Sequence, residues 1–357
     1  MVILTTALDP DPDVVLLDQL PIKAHDVPWS EGIVALEAGS GIGALKEILR
    51  EKPDLFGTRA VKGTNGDTKP WTAAEVYSWI QCYLITHAHL DHVNSLVLSA
   101  GSMSGSPRRI YAVEQALKDI EGIFSDRLWP NLASWNEKEC NTALIYSRLH
   151  ADDLYKDLSD HLSVRTMPLS HGKDRAGGAY KSAAFFIRNK TSGHELLFFG
   201  DVEPDSIASQ PRTIDVWRVA ATKIPHKLST IFIECSWPKG RSDQLLFGHL
   251  NPEHLAVELG VLASEVMKVR QDAVAKERSS KSQPPRKKQR RDSGSPSTLR
   301  GALEGVRVYI IHCKEDLRHD FDRPINQVIA EQVRALIKVQ ELGVEIIAAE
   351  QGMHIRA

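Results

Sequence analysis

Short apolar runs along the chain alternate with stretches in which apolar residues recur at helical spacing. The runs predict buried strands at residues 32–40, 80–86, 110–113, 162–168, 180–187, 195–200, 228–235, 305–311 and 344–349. Helical spacing predicts helices at residues 43–51, 71–80, 114–124, 255–269 and 324–342. Alternation of this kind is typical of an α/β fold.

Composition narrows the class of protein. Of the 357 residues, 42% are hydrophobic and 25% are charged, which is enough for a large core in one domain. The formal net charge of −2 provides no field that would attract nucleic acid or an acidic membrane. We find no apolar run of membrane-spanning length and no signal peptide, so we expect no membrane partner. The four cysteines are scattered without a CxxC pair, and we expect a cytoplasmic protein.

One segment departs from this composition. From about residue 276 to residue 300 the chain is rich in Lys, Arg, Ser, Pro and Gln and has no apolar period, which predicts a disordered insertion within a single domain. Within it, residues 286–291 resemble a nuclear-import signal or a nucleic-acid-binding tract, so a nuclear location is a second expectation. A solvated loop is the more usual meaning of such a tract.

The densest group of potential metal ligands is residues 87–92, His-Ala-His-Leu-Asp-His. It follows the predicted strand 80–86. After it, Val93, Leu96 and Val97 recur at helical spacing and predict a further helix, which Asp91 is placed to cap. In an extended turn His87 and His89 point the same way and reach one ion. Asp91 and His92, past the bend, can point toward a second ion about 3.5–4 Å away, the spacing of two-metal hydrolytic sites. The pattern therefore predicts a dinuclear centre.

Two further strand ends present potential ligands. Asp201 follows Gly200 at the end of an apolar strand, where a metal bridge explains an aspartate better than core packing does. His171 follows the predicted strand 162–168 and precedes Gly172, so its imidazole is rigidly placed while the backbone turns away.

The HxHxDH motif resembles the signature of the metallo-β-lactamase fold superfamily. The longer stretch 87–100 is similar to the narrower signature of the class II cyclic-nucleotide phosphodiesterases, the family of the fungal low-affinity cAMP phosphodiesterase. Further motifs carry the resemblance over about residues 30–355: LSHG, FFGDVEPD, FIECSW, FGHLNPEHL and IIHCK. It implies an α/β fold, a metallo-β-lactamase-like αββα sandwich of two mixed β-sheets flanked by helices, in a single domain of residues 1–357.

The resemblance also implies a complete site. The ligands expected for one ion are His87, His89 and His171. The ligands expected for the other are Asp91, His92 and His312. Asp201 and a hydroxide would bridge two divalent ions, and the imidazole-rich donor set suits Zn²⁺ best. Glu234 would orient His249, which would protonate the leaving oxygen, and Asp91 belongs to the expected catalytic residues as well as to the ligands.

Glu37 departs from the family pattern. The family carries Asp-Ala-Gly where this chain has Glu37-Ala-Gly, and its aspartate mostly orients a metal ligand. The sequence leaves open whether the longer carboxylate reaches the site.

The function expected from the resemblance is hydrolysis of 3′,5′-cyclic nucleotides, cAMP and also cGMP, to nucleoside 5′-monophosphates, with the bridging hydroxide as nucleophile. Spacing alone implies only a dinuclear hydrolase. An RNA 3′-end-processing nuclease of the same superfamily stays open, although no glycine-rich basic arm is recognised. A degenerate scaffold, whose basic insertion binds nucleic acid or a protein, also stays open; Glu37 and the lack of a glycine-rich turn in residues 1–30 favour it. The sequence does not fix the oligomeric state, and a homodimer is one expectation.

Overall fold

The chain divides into two compact units. The computed structural model describes residues 2–5, 14–18, 33–39, 41–61, 66–139, 142–173, 177–280, 299–315 and 321–356. The first unit comprises Met1–Thr166, Arg188–Ser192 and Ala349–Ala357, and the second comprises Met167–Ile187 and Gly193–Ala348. A single domain over residues 1–357 stays a prediction.

The first unit contains an eight-stranded sheet in the order β17-β2-β1-β3-β6-β7-β9-β8. Its strands are β1 (Val2–Thr5), β2 (Val14–Asp18), β3 (Ile33–Leu36), β6 (Ile80–Leu84), β7 (Arg108–Val113), β8 (Ala133–Ser134), β9 (Leu144–Leu149) and β17 (Met353–Arg356). A separate hairpin pairs β4 (Thr58–Ala60) with β5 (Thr68–Pro70). The helices of this unit are α1 (Ile42–Glu51), α2 (Ala73–Ser78), α3 (Leu90–Ser99) and α4 (Glu114–Ile123).

Strand β6 brings the histidine-rich turn out of the core of the first unit. It lies between β3 and β7 and is parallel to both, so its carboxyl end meets theirs at one edge of the sheet. Apolar side chains continue past the strand, since Ile85 is fully buried and packs in the same core as Val93 and Leu96 of α3. The turn that follows Ile85 is therefore fixed at both ends by burial of apolar surface.

The second sheet has seven strands in the order β10-β11-β12-β13-β14-β15-β16. They are β10 (Lys156–Asp157), β11 (Leu162–Lys173), β12 (Ala179–Asn189), β13 (Glu195–Phe199), β14 (Leu228–Glu234), β15 (Arg307–Ile311) and β16 (Glu345–Ala348). The helices of the second unit are α5 (Thr213–Ala221), α6 (Pro252–Ser280) and α7 (Ile325–Lys338). Strands β13 to β16 run parallel and read as continuous apolar runs, as expected of strands that are buried on both faces.

Three neighbouring strands of this sheet end close to candidate site residues. Asp201 comes shortly after β13, Glu234 is the last residue of β14, and His312 directly follows β15. Because parallel strands have their carboxyl ends at the same edge, with neighbours about 4.8 Å apart, the three side chains are brought to one place. His312 adopts a left-handed backbone conformation, with φ of 57°, which turns the chain sharply at the strand end.

Helix α6 is longer than predicted. It begins at Pro252, where Asn251 Oδ1 accepts a hydrogen bond from the backbone N of His254, and it continues to Ser280. The prediction that the disordered insertion starts near residue 276 is therefore wrong at that end. Residues 270–280 lack an apolar period but include Ala, Arg, Lys, Gln and Glu, which have high helix propensity. The basic tract 286–291 lies outside the described residues.

Two local predictions are also corrected. Asp91 does not cap α3, because the helix begins at Leu90 with His89 at the N-cap; Asp91 lies in the first turn, where a carboxylate interacts favourably with the helix dipole. Strand β11 does not stop at Pro168 but continues through His171 to Lys173. The remaining predicted strands and helices are confirmed, with ends shifted by a few residues. Among the described residues, no helix combines the length and apolar character needed to cross a bilayer.

Candidate metal centre

The turn between β6 and α3 gathers imidazole nitrogens of the first unit. Nε2 of His87 lies 3.0 Å from Nδ1 of His89, and the rings of His87 and His92 are 4.2 Å apart. The other ring nitrogen of His87 lies 3.0 Å from Thr86 Oγ1, a contact that fixes the orientation of the ring. Asp91 Oδ2 is 3.8 Å from Nε2 of His92.

Glu37 answers the question that the sequence left open. Its carboxylate is fully buried; Oε1 accepts a hydrogen bond of 3.0 Å from the backbone N of Thr86, and Oε2 lies 3.5 Å from Nδ1 of His92. The residue has a φ of 61°, in the left-handed region that few residues other than glycine adopt. The carboxylate therefore reaches the histidine-rich turn and is placed to orient His92.

In the second unit, one oxygen of Asp201 is surrounded by histidines. Asp201 Oδ2 lies 3.3 Å from Nε2 of His312, 3.5 Å from Nε2 of His171 and 3.7 Å from Nδ1 of His249. All four side chains are buried. Nδ1 of His171 donates to the carbonyl of Gly248 at 2.8 Å, which leaves Nε2 of that ring directed at Asp201.

Glu234 holds His249 in place. Its Oε1 lies 2.9 Å from Nδ1 of His249 and also accepts a hydrogen bond of 3.0 Å from the backbone N of Val202. Its Oε2 lies 2.8 Å from Ser236 Oγ, which is equally close to the carbonyl oxygen of His312. With Nδ1 engaged by Glu234, Nε2 is the nitrogen of His249 available for chemistry.

Burial and charge act in opposite directions on these groups. Burial lowers the pKa of His171 to about 4, despite the opposing effect of the Asp201 carboxylate, so the imidazole is neutral, as a metal ligand must be. Burial would also lower the pKa of His249, but the carboxylates of Glu234 and Asp201 outweigh it and raise that pKa above its ordinary value. Burial favours a raised pKa for Glu234, yet the charge of His249 outweighs it and lowers that pKa.

A glycine allows the loop that carries His249 to approach His171. Gly248 has a φ of 83°, and a Cβ built on it would lie 2.8 Å from the backbone N of Gly172 and 3.0 Å from Nδ1 of His171. Any larger residue at position 248 would therefore strain the backbone and push this loop away from His171.

The residues present fit a divalent metal ion. Each unit has its own cluster of imidazole nitrogens and carboxylate oxygens that are directed at one another. A donor set of imidazoles with few carboxylates and no thiolate suits ions such as Zn²⁺. Three of the candidate ligands also have a partner on a second ring nitrogen: Thr86 for His87, Glu37 for His92 and the carbonyl of Gly248 for His171. These clusters suggest a divalent metal.

Three parts of this arrangement were not assigned from the sequence. Ser236 lies between Glu234 and the backbone of His312, Gly248 abuts His171, and Nζ of Lys314 lies 3.1 Å from Nε2 of His249. Ser236 and Lys314 do stand inside the motifs FIECSW and IIHCK, beside residues that were assigned. Their contacts depend on the pairing of β14 with β15, which no local pattern specifies.

The fold defines the class of protein. The crystal structure of unliganded yeast PDE1 matches this chain with a TM-score of 0.67, at 22% sequence identity and with 89% of each chain covered. The chain has the metallo-β-lactamase fold, and that prediction is confirmed.

Sequence comparison then specifies the family. The model of the class-II cAMP phosphodiesterases matches residues 62–352. A 3′,5′-cyclic-nucleotide phosphodiesterase of Schizosaccharomyces pombe is 34% identical over 245 residues, covering 66% of this chain and 68% of the relative. One of Aliivibrio fischeri is 30% identical over 323 residues, covering 89% and 82%. The chain belongs to the class-II cAMP phosphodiesterase family, and the prediction of a phosphodiesterase enzyme is confirmed at that level.

Proposed function

We propose that this protein hydrolyses 3′,5′-cyclic nucleotides, cAMP and also cGMP, to nucleoside 5′-monophosphates at a site that binds two divalent ions, most readily Zn²⁺. Membership of the class-II cAMP phosphodiesterase family over residues 62–352 is the observation on which the substrate class rests. The buried histidine and aspartate clusters support the part played by metal.

Seven residues are proposed as ligands. One ion would be held by His87, His89 and His171. The other would be held by Asp91, His92 and His312. Asp201 would serve both, which is consistent with one carboxylate oxygen lying within 3.7 Å of three imidazoles in the second unit. When bound, the ions lower the pKa of coordinated water, so that a hydroxide nucleophile is available near neutral pH, and they neutralise charge on the phosphoryl oxygens.

His249 is proposed to act on the leaving group. Hydrolysis to a 5′-monophosphate breaks the bond between phosphorus and O3′ of the ribose, and that oxygen must gain a proton. Glu234 engages Nδ1 of His249 at 2.9 Å and favours the protonated ring, so Nε2 can donate this proton. Asp91 is proposed to contribute to catalysis through the metal that it binds.

The test is turnover of cAMP and cGMP by the purified, zinc-loaded protein, with 2′,3′-cyclic AMP and a precursor tRNA assayed in parallel and metal content measured on the same sample. We expect 5′-AMP and 5′-GMP, two metal ions per chain, and loss of turnover on chelation. Two bound ions with cleavage of the tRNA alone would favour the RNA-processing alternative. A protein that binds no metal would point to the non-catalytic scaffold.

A further inference from the structure

Lys314 places a positive charge directly on the proposed proton donor. Its Nζ lies 3.1 Å from Nε2 of His249, although the two residues are 65 positions apart in the chain. A lysine ammonium group donates hydrogen bonds and accepts none, so the contact with Lys314 and a proton on Nε2 of His249 exclude each other. The lysine therefore occupies the atom that the leaving oxygen of the substrate must contact.

The backbone holds Lys314 at this position. It lies two residues after His312, and its N donates a hydrogen bond of 2.8 Å to the carbonyl of Ser236. Ser236 is in turn bonded to Glu234, which fixes His249. The backbone of Lys314 and the ring of His249 thus belong to the same hydrogen-bonded network of the second unit.

Orientation of the imidazole does not require this lysine. Glu234 already fixes the ring through Nδ1 at 2.9 Å, and the ring is buried. Lys314 instead places a positive charge at Nε2, the atom of His249 that is proposed to meet the leaving oxygen. A positive charge at this atom has a use if an anionic group of the substrate binds between Lys314 and His249.

We infer that Lys314 binds a non-bridging oxygen of the substrate phosphoryl group, so that His249 is released to contact O3′. This inference rests on the proposed function, because it takes His249 as the residue that meets the leaving oxygen. An oxygen that hydrogen-bonds Nε2 lies about 3 Å from it, and the non-bridging oxygens on the same phosphorus then fall within reach of Nζ. The phosphodiester anion and the 5′-monophosphate product are the ligands that such a cation recognises.

The experiment compares three substitutions at this position with one control. Lys314→Met removes charge and donor, Lys314→Gln keeps a donor without charge, and Lys314→Arg keeps both. Lys239→Met removes one charge from an exposed lysine of the same unit. For each zinc-loaded protein we would measure kcat and KM for cAMP, the binding of 5′-AMP and of inorganic phosphate by calorimetry, metal content and Tm.

The expected result is weaker binding of the anion with metal content unchanged. Lys314→Met and Lys314→Gln should weaken binding of 5′-AMP and phosphate and raise KM by about 10- to 100-fold, the factor for losing a hydrogen bond to a charged group. Lys314→Arg should stay within about threefold of the parent, since a guanidinium also binds phosphate. Lys239→Met should match the parent, since Lys239 is exposed and is not among the proposed site residues.

Two outcomes would overturn the inference. Normal phosphate binding with a reduced kcat in Lys314→Met would mean that the lysine only positions His249. Parent-like binding in Lys314→Gln would mean that its charge is not used. Failure of the proposed function gives a different result. If the protein does not turn over cAMP but its phosphate binding still depends on Lys314, the role of Lys314 in anion binding stands and the proposed substrate is wrong.

Discussion

Asp201 presents one carboxylate oxygen to three imidazoles, at 3.3 Å from His312, 3.5 Å from His171 and 3.7 Å from His249. A carboxylate shared in this way is expected to serve more than one ion, so Asp201→Ala should abolish turnover and release at least one metal per chain. Metal analysis after dialysis checks this result. Asp215→Ala, at an exposed position on α5, is the matched control; full metal content in Asp201→Ala would contradict the bridging role.

His249 makes a different kind of contribution. Its contacts are to Glu234 and Lys314 as well as to Asp201, and it is not among the seven proposed ligands. His249→Ala should lower kcat by roughly 10²- to 10⁴-fold, the usual loss for a general acid, with both metals retained. Steady-state kinetics and metal analysis on one preparation test this expectation. His254→Ala, which loses a contact to Asp243 on the surface, controls for removal of an imidazole; loss of metal from His249→Ala would make His249 a ligand instead.

Glu37 shows how a single side chain can depart from a family pattern while keeping a role. A glutamate is one methylene longer than the aspartate of the pattern, and its carboxylate nevertheless reaches both Thr86 and His92. Both oxygens of the longer side chain have a partner on the histidine-rich turn, at 3.0 Å from Thr86 N and 3.5 Å from Nδ1 of His92. Glu37 therefore no longer favours a degenerate scaffold.

At the scale of elements, the loop before α6 depends on Gly248. Gly248→Ala should reduce kcat strongly while the protein stays folded, because the added methyl would force apart the loop that carries His249 and the strand that carries His171. Gly240→Ala is a matched control, since Gly240 has a φ of 87° but no neighbour within 4 Å of a built Cβ. Comparing the activity and Tm of the two variants distinguishes the effect of the close contact with His171 from the effect of backbone strain alone. Equal losses in both would show that strain, and not the contact with His171, is responsible.

The elements that carry the candidate site were largely predictable because their signals are local. An apolar run followed by His, Asp or Glu marks β6, β13, β14 and β15 directly in the sequence. Contacts between distant segments were not predictable: Lys314 meets His249 only through the register in which β14 and β15 pair. The end of α6 was missed for another reason, since its last turns are polar and rely on helix propensity without an apolar stripe.

At the scale of the whole molecule, the three cysteines that the structure describes are protected by the core. Burial raises the pKa of Cys82 to about 12 and also raises that of Cys235, and the thiol of Cys313 is buried as well. Because the thiolate is the reactive form, all three should resist alkylation at neutral pH in the native protein and react once it unfolds. Mass-spectrometric mapping of iodoacetamide adducts, with and without denaturant, tests this. Rapid labelling of Cys82 at low denaturant would reveal local opening of the first unit.

The parallel arrangement of β13, β14 and β15 has a consequence for how this protein can change in evolution. The spacing between Asp201, Glu234 and His312 is fixed by hydrogen bonds between neighbouring strands, so it does not depend on how much chain lies between the end of α6 at Ser280 and the start of β15 at Arg307. Loop-closure entropy rises only slowly with length. In related proteins this connection can therefore differ in length and sequence, and can include a charged tract, without changing the arrangement of these three residues.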